Sequence, residues 1–448
     1  MKKKLMSVLL AGTMVLSLVA CGKTTADTTT SDSTDATATQ TDATQTDADA
    51  TQSADASGSK DAIRLVNGKP EINAQLNTLA AKYKEETGNE VVIETIGGDQ
   101  KASDALKGYY QAGNMPDIFF VESNDIPDWE GKLVDLAGEQ WTEDTDSELV
   151  VNGVTVGFPY SVEATALGYN KELLDKAGID PSTLTSPAAW KEAVEKLDSM
   201  KDELGITAVF GWCTEPSNLG WSSGTHVFGQ YLDAGLAYDD TKYIDLLNDG
   251  GQIDENRMKA FAEFIDMMNQ YSDPDLVIDG NYDSQVAGFA EGKYVFVTQG
   301  NWIAPNILAN DNYSGFEMGF APYAFEDGID TIIGGVPNFW AVYADGNVEA
   351  AKAFLQWCSE DSAQQILVEE AALISPYTDC KYTSDAPFAA SIAQYISAGK
   401  LSYWHTMEKK SGLEDKTSVV FNQFAQGALD VDSFVSTMGQ VISSYYAK

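Results

Sequence analysis

The chain has 448 residues, with 28 Lys and Arg against 68 Asp and Glu and a formal net charge of −40 at pH 7. A surface this acidic repels phosphate backbones and lacks the basic stripe that nucleic acid needs, which excludes nucleic acid and anionic membrane surfaces as partners. The length exceeds one ordinary core and predicts two or three domains, which a hydrophobic fraction of 44% can fill.

In chain order, Lys2, Lys3 and Lys4 precede an apolar run over 5–19 that is too short to span a bilayer comfortably. Leu18-Val19-Ala20-Cys21 follows, a small residue before a cysteine as in a bacterial lipobox. Residues 1–20 are therefore expected to be a lipoprotein signal peptide and Cys21 the lipidated residue, placing the chain outside the cytoplasm on the outer face of the cell membrane. Residues 21–61 are Thr, Asp, Ala, Ser and Gln with almost nothing to bury, and read as a disordered tether.

The folded part is expected from residue 62. A strand over 62–66 leads through Asn67-Gly68-Lys69-Pro70 to a helix marked by Ile72, Leu76, Leu79, Ala80 and Tyr83 and stopped by Gly88. A strand at 91–93, a helix around 102–109 and a strand at 118–121 complete a strand-helix-strand-helix-strand unit, the pattern of a parallel sheet. Residues 158–178, FPYSVEATALGYNKELLDKAG, pass from alternating apolar residues through Glu163 to a short charged helix closed by Gly178. The alternation restarts beyond, with a helix from Ser186-Pro187 through Trp190, Val194 and Leu197 and a strand over 207–212, so residues 158–178 read as a crossing between lobes. Further strands are expected at 294–298, 316–320 and, as a pair around Gly334-Gly335, over 331–342, with helices towards the end.

Cysteine and histidine usage argues against a metal site. Cys213, Cys358 and Cys380 show no CxxC or Cys/His ligand spacing, and His226 and His405 are the two histidines. A Cys358–Cys380 disulfide and buried free thiols both remain open. Neither GxxxxGK[ST] nor GxGxxG after the first strand occurs, so nucleotide-driven functions are set aside.

Several ordered segments resemble the extracellular solute-binding proteins of family 1, the carbohydrate-binding components of ABC importers related to maltose-binding protein. They include Pro116-Asp117-Ile118-Phe119, Gly131-Lys132-Leu133-Val134-Asp135-Leu136, residues 159–178, Phe289-Ala290-Glu291-Gly292-Lys293, Gly300-Asn301-Trp302 and Glu349-Ala350-Ala351-Lys352-Ala353-Phe354-Leu355. The resemblance implies an α/β, two-lobed periplasmic-binding-protein-like fold with hinge strands and a ligand cleft, the first lobe being 62–162 plus 323–374 and the second 163–322 plus 375–448. It also implies a monomer without cofactor or catalysis, which captures a mono- or oligosaccharide and delivers it to ABC permease subunits.

A sugar offers hydroxyls to charged and amide groups and C–H faces to aromatic rings. Glu163 matches the family's hinge glutamate and Trp302 its stacking indole, with Tyr160 beside Glu163. Strand ends that face the cleft point to Asn67, Lys69 and Glu71, and to Glu122 and Asn124. Val121 stands where the maltose-binding branch of the family carries an aromatic residue. Glu215 and Trp221 resemble a segment lining the second lobe, with Trp212 and His226 near them in sequence, and Trp340 and Trp404 complete the candidates. Two alternatives stay open: the same fold binding a polyamine, metal chelate or peptide, and a secreted glycoside hydrolase using paired carboxylates.

Overall fold

Strands and helices alternate from residue 63 onward in a computed structural model, which describes residues 62–97 and 100–448. The expected signal peptide, Cys21 and tether lie outside the described residues. In chain order the strands are β1 (Ile63–Asn67), β2 (Val91–Thr95), β3 (Ile118–Glu122), β4 (Leu149–Val151), β5 (Val154–Pro159), β6 (Glu163–Thr165), β7 (Leu167–Asn170), β8 (Ala208–Gly211), β9 (Tyr294–Val297), β10 (Met318–Ala321), β11 (Ile332–Gly335), β12 (Asn338–Val342) and β13 (Leu401–Ser402). They form three sheets, ordered β2-β1-β3-β12-β5-β4, β10-β7-β9-β8 and β13-β11-β6.

The first sheet is the frame of the first lobe. β1 pairs in parallel with β2 and β3 through the crossover helices Asn73–Thr87 and Ala102–Ala112, as the spacing of apolar residues requires. Side chains alternate between its faces with the period of two that a strand imposes. Leu65, Phe158 and Trp340 pack against Leu76, Tyr83 and Phe354, while Val66, Phe119 and Phe339 pack in a separate cluster with Leu106 and Trp129.

The second sheet carries the other lobe. Leu167, Phe210 and Phe296 are buried with Trp190 of the helix Pro187–Ser199, whose N-cap is Ser186, and with Phe261 and Ile265 of Glu255–Gln270. Trp212 lies fully inside this core, its Nε1 donating to Asn269 Oδ1 at 2.9 Å, so it lines no cleft.

Residues 158–178 are not one strand leading to one helix. They supply β5 to the first sheet, β6 to the small sheet and β7 to the second sheet, and then the helix Lys171–Ala177, capped by the Asn170 side chain. The chain thus passes through three sheets in fewer than twenty residues, because Ser161-Val162 and Ala166 break the ladders that flank β6. Beside β6, antiparallel β11 leads the chain back to β12, and Val162 bridges Ile374. These segments form the hinge. Gly335 sits here with φ 149°, where a Cβ would lie 3.1 Å from the Tyr403 ring.

Two expected lobe limits shift. Tyr323, Phe325 and Ile329 pack in the second-lobe core, so the return crossing falls at 335–338 and not at 323. Tyr377 and Cys380 still pack against the first-lobe core while Phe388 belongs to the second lobe, which moves the last crossing beyond 375. In both places the apolar residues, which decide the lobe, lie past the limit read from the sequence. Cys213, Cys358 and Cys380 are free thiols, the first two buried. Among the described residues no helix is long and apolar enough to cross a membrane, and no group of three or more His, Cys, Asp or Glu could hold a metal ion.

Candidate functional site

The C-terminal ends of β1, β3 and β5 all face the second lobe, the place where α/β sheets collect ligands. The turn after β1 is built by Asn67, whose Oδ1 accepts from Lys69 N at 3.0 Å and whose Nδ2 donates to Lys69 O at 2.6 Å. Asn67 is thereby spent on backbone and is a positioning residue, not the ligand contact expected of it. The residue it positions is Lys69, whose Nζ lies 2.5 Å from Glu163 Oε1 and 3.1 Å from Glu71 Oε1. Glu163 is buried, and its second oxygen accepts from Asn338 Nδ2 at 3.4 Å.

Burial alone would push the Lys69 ammonium down, but the Glu163 and Glu71 carboxylates outweigh it and hold the group well above its ordinary value. Burial raises Glu163, and Lys69 opposes that rise. The two form an ion pair that ties the first lobe to the hinge. Tyr160, also buried, points its hydroxyl at this cluster without a hydrogen-bond partner, and burial raises it well above the usual phenol range.

Opposite stands a group of rings from the second lobe. Asn301 Oδ1 accepts from Ala164 N of β6 at 2.8 Å, which fixes the short turn Asn301–Ile303 to the hinge, and Trp302 Nε1 donates to Gln299 Oε1 at 3.0 Å. Gly300 is required beside it, since a Cβ there would lie 2.1 Å from the indole. Ring centroids of His226 and Trp302 are 4.8 Å apart, those of His226 and Trp404 5.1 Å, and those of Trp221 and Tyr282 6.0 Å. His226 lies in a π-helical segment, Ser222–Val227, the kind of local rewinding that recurs at functional sites. Burial, with Lys409 and Lys69 nearby, lowers its pKa to about 3, so the imidazole is neutral. Its Nδ1 and the Trp404 Nε1 are buried and unpartnered.

The expected residues therefore separate. Glu163, Trp302, Tyr160 and Lys69 line or face one corner, and Trp221 and Trp404 extend its ring cluster. Glu122 and Asn124 lie further along the first-lobe edge. Burial and the Asp125 carboxylate raise Glu122 to about 8, against the pull of Lys409. Glu215 is half-buried ahead of the short helix Pro216–Trp221. Trp340 does not join the rings of the second lobe: it is fully buried in the first-lobe core against Tyr160, Phe158 and Phe354, because its place in β12 turns it onto the helix-covered face. That corrects its expected role as a ligand platform.

Sequence reading missed Tyr282, Asn338, Lys409 and Glu414. Lys409 is wholly buried, with Nζ 3.0 Å from Thr225 Oγ1 and 3.6 Å from Glu414 Oε2. A lysine and a glutamate at a helix entrance carry no sign of burial in a chain with 68 acids, so no local signal marked them.

The arrangement offers charged and amide groups on one wall and rings on the other, with several polar ring atoms unpartnered. Unsatisfied buried donors and acceptors cost about 1–3 kcal/mol each and persist where a ligand completes them. Residues 78–393 match the family model described as bacterial extracellular solute-binding protein. The chain is 22% identical over 383 residues to the melibiose/raffinose/stachyose-binding protein MelE of Bacillus subtilis (strain 168), covering 81% of this chain and 84% of that protein. Among solved structures it resembles a chitin oligosaccharide binding protein, with TM-score 0.71, 18% identity, and coverage of 86% of this chain and 99% of the other. It also resembles a sugar transporter protein of Bacillus licheniformis in complex with stachyose, with TM-score 0.68, 18% identity and the same coverage.

Proposed function

Because the chain belongs to the bacterial extracellular solute-binding protein family, we propose that it captures a saccharide between its lobes and delivers it to the permease of an ABC importer. One observation carries this reading: Tyr160 Oη, His226 Nδ1 and Trp404 Nε1 are buried without partners where the rings of the second lobe meet the charged edge of the first. Hydroxyls of a sugar supply both donors and acceptors, and its C–H faces cover rings, so a cleft bordered by polar groups and rings of this kind suits a saccharide. The MelE relative carries three galactosides in its name, which supports the same class.

Family members are binding proteins. Capture here involves no chemistry on the ligand: Glu163 is paired with Lys69 at the hinge, so this carboxylate acts in holding the lobes and in their closure. The lipobox at 18–21 anchors the chain by a lipid on Cys21, outside the cytoplasm as the family description implies, and the chain acts as a monomer.

Thermal unfolding of the purified protein against a glycan panel, with spermidine as the cationic control, tests the assignment. A saccharide should raise the melting temperature and shift tryptophan emission while being recovered unchanged. Stabilisation by spermidine alone, or release of reducing sugar, would sink it. Membrane fractionation of wild type and Cys21→Ala, with the variant appearing in the medium, tests the anchor.

A further inference from the structure

The Lys69–Glu163–Trp302 corner has almost no free space. Its void is about 10 Å³, room for one water at most. The volume lies elsewhere, in a chamber of about 780 Å³ between the lobes, on the other side of the first sheet's edge. Asn124, Glu148 and Val150 form its first-lobe wall, and Tyr403, Lys409 and Tyr446 its second-lobe wall. Lys409 also touches Thr225, next to His226, so the chamber backs onto the ring cluster.

We propose that this chamber holds the chain of a neutral oligosaccharide, with Asn124 and Glu148 as the acceptors that read its hydroxyls. The proposal rests on the saccharide reading above and narrows it from any sugar to one of several residues. A chamber of this size suits a ligand of roughly two or three pyranose rings, within the ~300–1,000 Å³ range of pockets for drug-sized ligands. A monosaccharide would leave most of it to water.

The polar inventory agrees. Asn124 Oδ1 and Glu148 Oε2 are buried and unpartnered, both on the first-lobe wall, and both can only accept from the hydroxyl hydrogens of a ligand. Tyr403 and Tyr446 give the opposite wall its rings. Charge decides for a neutral chain. Asp128, Glu148 and Glu408 line the chamber, while its lysines are already engaged, Lys409 with Thr225 and Glu414 and Lys410 with Tyr445 O at 3.3 Å. A uronic-acid chain would bring further carboxylates to a wall with no uncommitted ammonium among the described residues lining it.

Calorimetric titration of the mature protein with three ladders tests this: galactose, melibiose, raffinose and stachyose; chitin oligosaccharides with N-acetylglucosamine; and xylo-oligosaccharides with xylose. Trigalacturonate is the acidic arm. In the ladder that binds, affinity should rise by about tenfold or more between the monosaccharide and the trisaccharide or longer member, and trigalacturonate should give no heat. Asn124→Ala and Glu148→Gln should each weaken the longest member about fivefold and leave the shortest within about twofold, while melting temperatures report that both variants fold. A monosaccharide that binds as tightly as its tetrasaccharide overturns the chamber and leaves the saccharide reading standing. Variants that weaken all lengths equally, or tight binding of trigalacturonate, overturn it too. Silence from all three ladders removes the saccharide reading itself.

Discussion

Lys101, at the head of the first-lobe helix Ala102–Ala112, and Asp415, on the second-lobe helix Glu414–Ala425, form an ion pair of 2.7 Å across the cleft. Each side chain is about half exposed, so the pair contributes little to folding, yet it exists only when the lobes meet. Lys101→Ala or Asp415→Ala should weaken ligand affinity by ~0.2–1 kcal/mol with an unchanged melting temperature for the free protein. The loss should vanish at about 1 M salt, where the Debye length is ~3 Å. An affinity that ignores both substitution and salt would show that the pair has no share in closure.

Glu163→Gln breaks the buried pair with Lys69 but leaves Glu71 at 3.1 Å from the ammonium. The cost should therefore fall below the ~3–5 kcal/mol of a fully orphaned buried charge, at about 1–3 kcal/mol of folding stability, with a loss of ligand affinity as well. Urea unfolding checks the first part and calorimetry the second. Full stability in the variant would mean that the hinge does not depend on this ion pair.

Trp221 is 37% exposed and borders His226, Tyr282 and Trp302. Among the rings of the cluster it has the most surface left to cover, so saccharide should change its emission most. Trp221→Ala should remove the largest part of the ligand-induced fluorescence change and cost ~0.5–1.5 kcal/mol of affinity. An undiminished signal would place the ligand away from this ring.

Stability should fall as pH rises through neutrality. Burial and Asp125 raise Glu122 to about 8, so between its unfolded pKa of ~4.3 and 8 the native chain holds a proton that the unfolded chain has lost. The stabilisation is complete below that window and lost through it. His405 adds to the same trend: burial would lower it, but the hydrogen bond to Asp233 at 3.1 Å raises it overall. Melting temperature measured from pH 7 to 9, above the range in which the buried His226 opposes the trend, should decline, and Glu122→Gln should flatten the decline. An equal slope in the variant would assign the trend to other groups.

Burial pushes the Cys213 thiol up to about 11 and holds Cys358 well above its usual range, whereas Cys380 is half-buried. An aromatic disulfide reagent should label Cys380 readily in the folded protein, and the other two only in denaturant. Rapid labelling of all three would contradict the packing around them.

The elements were legible where apolar spacing is strong. β1 to β3 and their helices follow from period-two and helical runs, and Asn170 and Ser186 announce the helices they cap. The lobe limits were less so, because Tyr323 and Tyr377 look alike in sequence and only packing assigns them to different cores. At the site, Glu163 and Trp302 stood out as a carboxylate in an apolar strand and an indole behind a glycine. Asn67 and Trp340 had the right residue type and the wrong surroundings, one tied to its own backbone and the other turned into a core. Lys409 and Glu148 had ordinary local sequence, and the burial of Lys409 arises from a partner, Thr225, that stands 184 residues away in the chain.

β12 lies between β3 and β5 at the centre of the first-lobe sheet, though it comes from residues 338–342. Until those residues are available, β2-β1-β3 and β5-β4 are separate fragments with unpaired edges, so the first lobe cannot finish early from the N-terminal part alone. Long sequence separation of this kind slows folding. The strand order itself therefore keeps the first-lobe sheet open until most of the chain has been made.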